Sequence, residues 1–345
     1  MKYDKPHLSY DQQLALMRDR GLAVADHPRA IQGLKRIGYY RLSGYTFPLR
    51  TLEENPQQAK GKQQKRGETF IEGASFEDAV ALHDFDHRLR GILLDGLQQL
   101  EVGLRVKIGY TLGKRGALAH LDESKLDPGA KKPHRRKKDK SRYEAWREEY
   151  DSLQEKATSG KQEFVMHFAK HYDGEVPIWA AVGFMTMGCL ISLYNMLNKE
   201  DRRTIARSLG VKDPKVLAGW LKPLNILRNQ CAHGNRVWNR SIPFQADKLN
   251  LGMLKNPALL RHLAISSKAP VDHRVYFHAA TTAYLLRELI PDSTWPRDFA
   301  AVMGTFPSSV SEKFPLSPVD SMGFIEDWEN EELWRLIQNP CLTRP

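Results

Sequence analysis

Between Phe76 and Leu112 the residues Leu82, Phe85, Leu89, Ile92, Leu93, Leu97, Leu100, Leu104 and Ile108 recur at three- and four-residue steps. That repeat is one continuous face of a helix, and so long an apolar stripe needs other elements to cover it. The flanking sequence supplies helices. Tyr10 to Arg20 runs into Gly21 and Pro28 to Ile37 into Gly38, glycine standing where a helix stops. Tyr143 to Lys156, Glu163 to Tyr172 and Asp201 to Leu209 read as further helices. Pro214 to Ala232 places Val216, Leu217, Trp220, Leu221, Leu224 and Leu227 on one side, with Gly234 stopping it directly after His233. Few segments suggest strands. The expected fold is all-α.

Three parts are expected along the 345 residues. Residues 1–67 form an N-terminal helical arm, closing in the aromatic, irregular stretch YYRLSGYTFPL and an exposed polar loop from Thr51 to Glu68. Residues 68–240 form the helical core. Residues 241–345 form a peripheral helical cap, with helices near Pro257 to Ile265, Val271 to Ile290 and Trp295 to Met303, linkers broken by Pro291, Pro307, Pro315 and Pro318, and a final WENEELWRLI. Within the core, the insertion at 127–142, DPGAKKPHRRKKDKSR, holds eight Lys or Arg residues and His134 among Pro, Gly and Ser. It has no face to bury and is expected to be mobile. Ile178 to Leu197 is twenty residues without a charge, the length of a membrane span. Its Thr186, Ser192, Tyr194 and Asn195, and the single basic flank at Lys199, favour a buried central helix instead.

Fifty-two Lys and Arg against 41 Asp and Glu leave a net charge of +11, the footprint of a polyanion binder. The three cysteines, Cys189, Cys231 and Cys341, are far apart and form no CxxC pair, which points to a reducing compartment and against a cysteine zinc site. MKYDKPHLSYDQQ lacks the apolar stretch of a secretory signal. A cytoplasmic protein, without a membrane span, is expected.

The candidate chemistry lies in RNQCAHG. Cleaving RNA without a metal requires taking the 2′-hydroxyl proton, stabilising the crowded phosphate and protonating the leaving oxygen. His233 suits the proton work near neutral pH and Arg228 the phosphate oxygens. On an ideal helix the two would stand about 140° apart, but the stop at Gly234 leaves His233 on the last turn, where the helix dipole favours its protonated form. Asn229 and Asn235 could orient ribose or phosphate. Arg236 and Arg240, around Trp238, could contact RNA or simply cover a core tryptophan. The spacing alone is weak: about one Arg-x4-His match is expected by chance, and a second occurs at Arg115 and His120. Lys131, Lys132, Arg135, Arg136, Lys137 and Lys138 of the insertion are candidates for the RNA backbone. Arg90, Glu101 and Arg105 on the long helix are candidates for a supporting polar network, with a plain Glu101 to Arg105 pair as the simpler reading. His83/His87 and His167/His171 have HxxxH spacing but no evident third ligand, so neither a metal nor any other cofactor is expected. The alternatives are an RNA-binding module without catalysis, holding a structured small RNA, and a DNA-binding regulator using the N-terminal helices.

RNQCAHGNRVWNR resembles the RNxxxH signature of HEPN ribonucleases, and in particular the Abi-like abortive-infection family, the AbiD and AbiF group of bacterial phage-defence proteins. KPHLSYDQQLALMRDRGL, IGYYRLSGYTFPLR, FDHRLRGILLDGLQQLEVGLRVKIGY, PIWAAVGFMTMGCLISLYNML and LAGWLKPLNILRNQCAHGNRVWN are similar in order, as are STWP and the MGF and DW elements near the end. The resemblance implies a HEPN-type helical bundle as the core. It also implies a homodimer that joins two Arg/His pairs in one cleft, metal-independent endoribonuclease activity, and a toxin's role in phage defence.

Overall fold

A computed structural model describes residues 6–53, 65–242, 249–265 and 274–335. The arm consists of α1 (Tyr10–Asp19), α2 (His27–Ile37) and α3 (Tyr39–Thr46), followed by an antiparallel pair of short strands, β1 (Arg50–Leu52) and β2 (Arg66–Phe70). Then come α4 (Phe76–Gly113), α5 (Arg142–Ser159), α6 (Glu163–His171), α7 (Ile178–Ala181), α8 (Met187–Met196), α9 (Lys199–Ser208) and α10 (Pro214–Ala232). The C-terminal part holds α11 (Arg261–Ile265), α12 (Val275–Leu289), α13 (Trp295–Met303), α14 (Ser308–Ser311) and α15 (Pro318–Met322). The fold is all-α.

The axis of the molecule is α4. Ser75 and Asp78 close a capping box at its start, each side chain bonding the other's backbone N–H. The predicted stripe is buried throughout, from Leu82 to Ile108 with only Ile92 partly exposed. Around it pack α3, α7, α9, α10, α12 and α13. Two glycines permit the closest approaches. The indole of Trp295 lies over Gly96, where a Cβ would stand 2.4 Å from its nitrogen, and Leu289 lies over Gly103. Trp295 Nε1 donates to the Ile92 carbonyl at 2.8 Å.

Several expectations are corrected. YYRLSGY is not irregular: Gly38, at φ +84°, turns the chain between α2 and α3, and burial of Leu42 and Tyr45 against α4 outweighs the weak local helix preference of the tyrosines. The polar loop is flanked by β1 and β2, and its residues 54–64 lie outside the described residues. The uncharged segment after Pro177 is two helices, not one. Thr186 caps α8 by accepting from the Cys189 N–H, and the break lets α7 dock on Gly109 and Gly113 of α4 while α8 packs on α5 and α10. Among the described residues no helix is long and apolar enough to cross a membrane. The segment expected as a peripheral cap contributes core: every residue from Val275 to Leu286 is buried, His278, Thr281 and Thr282 among them. Trp334 of WENEELWRLI joins the same aromatic cluster as Tyr276, Phe299 and Trp328. The residues after Arg335, Cys341 among them, lie outside the described residues, as does the predicted start of α12 before Arg274.

The basic insertion is also folded. His134 and Lys140 pair through the backbone, as do Lys132 and Arg142, and the His134 ring accepts from the N–H groups of Arg136 and Lys137. Lys137 and Lys140 both bond Glu148 of α5, and Ala130 is fully buried. Charge composition alone missed these ties.

His120 is wholly buried, with Nε2 3.2 Å from the Tyr150 hydroxyl. Burial, aided by the charge of Arg147, pushes its pKa down to about 3. Because the unfolded chain binds this proton near 6.5, His120 stabilises the fold above that pH and loses the contribution as pH falls toward 3. About 2 kcal/mol should disappear through this residue alone between pH 7 and pH 5. Urea unfolding at the two pH values should show a smaller loss for His120→Gln than for the wild type; equal losses would contradict the assignment.

Candidate active site

The RNQCAHG segment ends α10. Asp213 caps the helix start by accepting from the Lys215 N–H, with Pro214 in the first turn. Leu217, Trp220, Leu221, Leu224, Leu227 and Cys231 form the buried face, which packs on α4 and α8. Gly234, at φ +67°, ends the helix. Its N–H bonds the Cys231 carbonyl at 3.0 Å, and the Asn235 N–H bonds the Gln230 carbonyl at 2.9 Å, the paired bonds of a Schellman stop. The predicted stop is therefore in place. His233 is the C-cap residue, at φ −85° and ψ 6°, and its side chain is exposed.

Arg228 faces α4. Its Nε lies 3.3 Å from Oε2 of Glu101, which is 5% exposed, and Nη1 donates to the Asn229 amide oxygen at 3.3 Å. The other oxygen of Glu101 accepts from Arg105 at 2.7 Å, and Arg105 also donates to the Met185 carbonyl at 3.0 Å. The buried carboxylate thus lies between two guanidiniums, hydrogen-bonded to Arg105 and ion-paired with Arg228, while about a third of the Arg228 side chain stays exposed. The simple Glu101 to Arg105 pair is present, and it is one half of a larger cluster.

Arg90, grouped with Glu101 in the expected network, belongs elsewhere. It pairs at 2.5 Å with Asp86, one turn before it on α4. Asp86 is fully buried and accepts four donors: Arg90, the Tyr45 hydroxyl at 2.7 Å, and the backbone N–H groups of Val237 and Trp238 at 3.1 and 2.9 Å. The chain leaving the helix stop is thus clamped to α4. From α3, Arg41 donates to the Gly234 carbonyl at 2.5 Å and Arg236 donates back to the Gly44 carbonyl. Burial first, then the charge of Arg240, lowers the pKa of Arg236. Burial, reinforced by the nearby Asp86, pushes the Cys231 thiol up to about 12, so it stays protonated and unreactive.

The structure therefore gathers Arg228, Asn229 and His233 at one helix end, with Asn235 and Arg240 exposed beside it. Arg236, a candidate RNA contact, is spent on the α3 backbone, and Trp238 is fully buried. Lys131, Lys132, Arg135, Arg136 and Lys138 are exposed on the insertion, whereas Lys137 is engaged by Glu148. The structural roles of Asp86 and Arg41 escaped the sequence reading. The Asp86/Arg90 spacing of four residues on the buried stripe was a usable signal; Arg41 had none.

The second Arg-x4-His match sorts itself out. His120 is buried, and Arg115 is bound to Asp201 at 2.6 Å, so that pair holds α4 and α9 together. His83 bonds Asp84 at 2.8 Å and meets Tyr45 edge-on, while the His167 and His171 rings meet at a tilt on α6, 4.9 Å apart. Among the described residues, no three His, Cys, Asp or Glu side chains gather as metal ligands do.

Residues 32–239 match the family described as Abi-like protein. The chain belongs to the Abi-like family. No curated protein and no solved structure matches it. The matched span of this Abi-like chain takes in α3, α4, α10 and the clamped residues Val237 and Trp238, and stops short of α12 and α13.

Replacing Asp86 by Ala strips Arg90 of its carboxylate and leaves two buried N–H groups without an acceptor. The unfolding free energy should drop by about 3–5 kcal/mol in urea titration. A loss under about 1 kcal/mol, the worth of one ordinary hydrogen bond, would show that the clamp contributes little.

Proposed function

We propose that this Abi-like protein is a metal-independent endoribonuclease of the HEPN kind, with Arg228 and His233 as catalytic residues and Asn229 beside them, and that it acts as an abortive-infection toxin. One observation carries the reading. Of the two Arg-x4-His pairs in the chain, the one inside the RN-x3-H segment has an exposed histidine at a helix C-terminus and an arginine braced by a buried carboxylate. The 2′-hydroxyl of the substrate gives its proton to a neutral His233 and attacks the adjacent phosphorus. The 5′-oxygen leaves with a proton, giving a 2′,3′-cyclic phosphate and a 5′-hydroxyl. Arg228, ion-paired with Glu101, turns the rest of its guanidinium to the phosphate oxygens, where negative charge builds up.

One histidine cannot hold and give up a proton in the same step, so the site needs a second one. A second copy supplies it. Val102, Val106 and Tyr110 lie at four-residue steps on α4, 54%, 61% and 69% exposed, with Trp179 of α7 58% exposed on the same helix's neighbour. This apolar stripe starts one residue from Glu101, which holds Arg228, and it is the face a homodimer would bury.

Purified protein incubated with RNA in EDTA should produce cyclic-phosphate ends. His233→Ala should slow cleavage by about 10²–10⁴-fold. Glu101→Gln should lower kcat more than it raises KM, since it frees an arginine that acts on the transition state. Cleavage that survives His233→Ala, or that stops with EDTA, would overturn the mechanism. RNA bound with steep salt dependence and never cut would favour a non-catalytic RNA-binding module.

The dimer has its own check. Val106→Glu should give a monomer in sedimentation velocity and lose cleavage with it; a fully active monomer would refute a site shared between copies.

A further inference from the structure

A cavity of about 490 Å³ opens between the folded insertion, α5, α8, α9 and α10, within the range of ~300–1,000 Å³ usual for ligand pockets. Four cations line it from four different elements: Arg135 of the insertion, Arg142 at the start of α5, Arg202 of α9 and Lys222 of α10. Glu149 is the one carboxylate in the lining, and Asp127 stands behind Arg202 at 3.3 Å. Nε of Arg202 is buried without a hydrogen-bond acceptor. The Lys222 amine is held below the ordinary lysine range, by partial desolvation first and then by the charges of Arg135 and Arg136.

The folded insertion holds Arg135 on the cavity wall. Lys137 and Lys140 are taken up by Glu148, and the His134 ring ties the turn at Arg136 and Lys137. Cations gathered around a hollow repel each other, and an oxyanion placed among them relieves that repulsion. Asn195 and Ser192 of α8 add neutral hydrogen-bonding groups, suited to a ribose or base attached to the anion.

Helix α10 connects this cavity to the candidate active site. Asn229 and His233 follow Lys222 by seven and eleven residues, so each falls within about 20° of Lys222 around the helix, and the two lie about 40° from each other. All three are exposed. Lys222 lies roughly 16 Å from His233 along the axis, a distance that a single strand covers in a few nucleotides. We propose that the cavity holds a backbone phosphate and its nucleoside from the same RNA that is cut at His233, so that the insertion fixes the substrate's register along the exposed face of α10. This rests on the ribonuclease reading for what happens at His233; the cavity's binding of RNA does not depend on cleavage.

The test separates the two. Binding of a fluorescent single-stranded RNA to His233→Ala protein, followed by anisotropy over a salt series, needs no cleavage. Adding Arg135→Ala and Lys222→Ala should weaken binding about tenfold and flatten the slope of log K against log salt by about 1.4, the release expected for two phosphate contacts on a single strand. Asn195→Trp, which fills the cavity without changing its charge, should weaken binding similarly; circular dichroism confirms that each variant is folded. In the cleaving enzyme, Arg135→Ala with Lys222→Ala should slow the cutting of a longer strand by a larger factor than that of a dinucleotide. An unchanged salt slope would overturn the proposal. So would a cavity that raises the melting temperature with a mononucleotide or inorganic phosphate while RNA affinity ignores the variants, since it would then be a small-effector site.

Discussion

The carboxylate of Asp86 is the point on which the rest depends. It is out of reach of water and carries a charge, which is tolerable only because a guanidinium, a hydroxyl and two backbone N–H groups all point at it. Those donors come from three places: Arg90 on the same helix, Tyr45 on α3, and the chain just past the end of α10. One side chain therefore sets the position of the arm and of the residues after the candidate site relative to α4. The exchange also acts on Tyr45, whose phenol is pushed well above its ordinary range by burial and by the charge of Asp86, so the hydroxyl remains a donor at any physiological pH.

Asp86 and Glu101 work as two ends of one brace. Fifteen residues of helix put them roughly 22 Å apart along α4. Arg228 of α10 meets Glu101, and nine residues later Val237 meets Asp86, fifteen residues earlier on α4. The chain from Arg228 to Val237 therefore runs in the opposite sense to α4. His233 lies between the two fixed points, at the turn, held by backbone on both sides with its own side chain unengaged by the core.

Much of this was legible in the sequence and some was not, for reasons that can be named. The stripe on α4 and the amphipathic face of α10 were readable because a single period runs through each without interruption, and the stop at Gly234 because only glycine takes that backbone conformation cheaply. The break at Thr186 was not readable: local composition there suits a helix, and the docking of α7 on Gly109 and Gly113 decides otherwise. Nor was the order of the insertion. Eight positive charges suggest a solvated loop until Glu148 is known to lie against it, with Asp127 and the His134 ring bonding its own backbone. At the candidate site, Arg228 and His233 were nameable from their segment, whereas the choice between Arg90 and Arg105 as partner of Glu101 depended on where α3 and α10 lie, which is tertiary information.

The two Arg-x4-His pairs show why position outweighs spacing. Both pairs lie at the C-terminal end of a long helix: Arg115 just beyond α4, Arg228 within the last two turns of α10. At Arg115 the chain after the helix turns inward, His120 is enclosed by Tyr150, and burial removes its charge. At Arg228 the Schellman stop sends the chain along the surface, so the imidazole at the helix end meets solvent. The same residue types at the same spacing thus become a neutral core histidine in one place and a solvent-exposed one in the other. The difference is made by Gly234 and by the clamp on Asp86 that pulls the following backbone down, leaving the side chain of His233 outside.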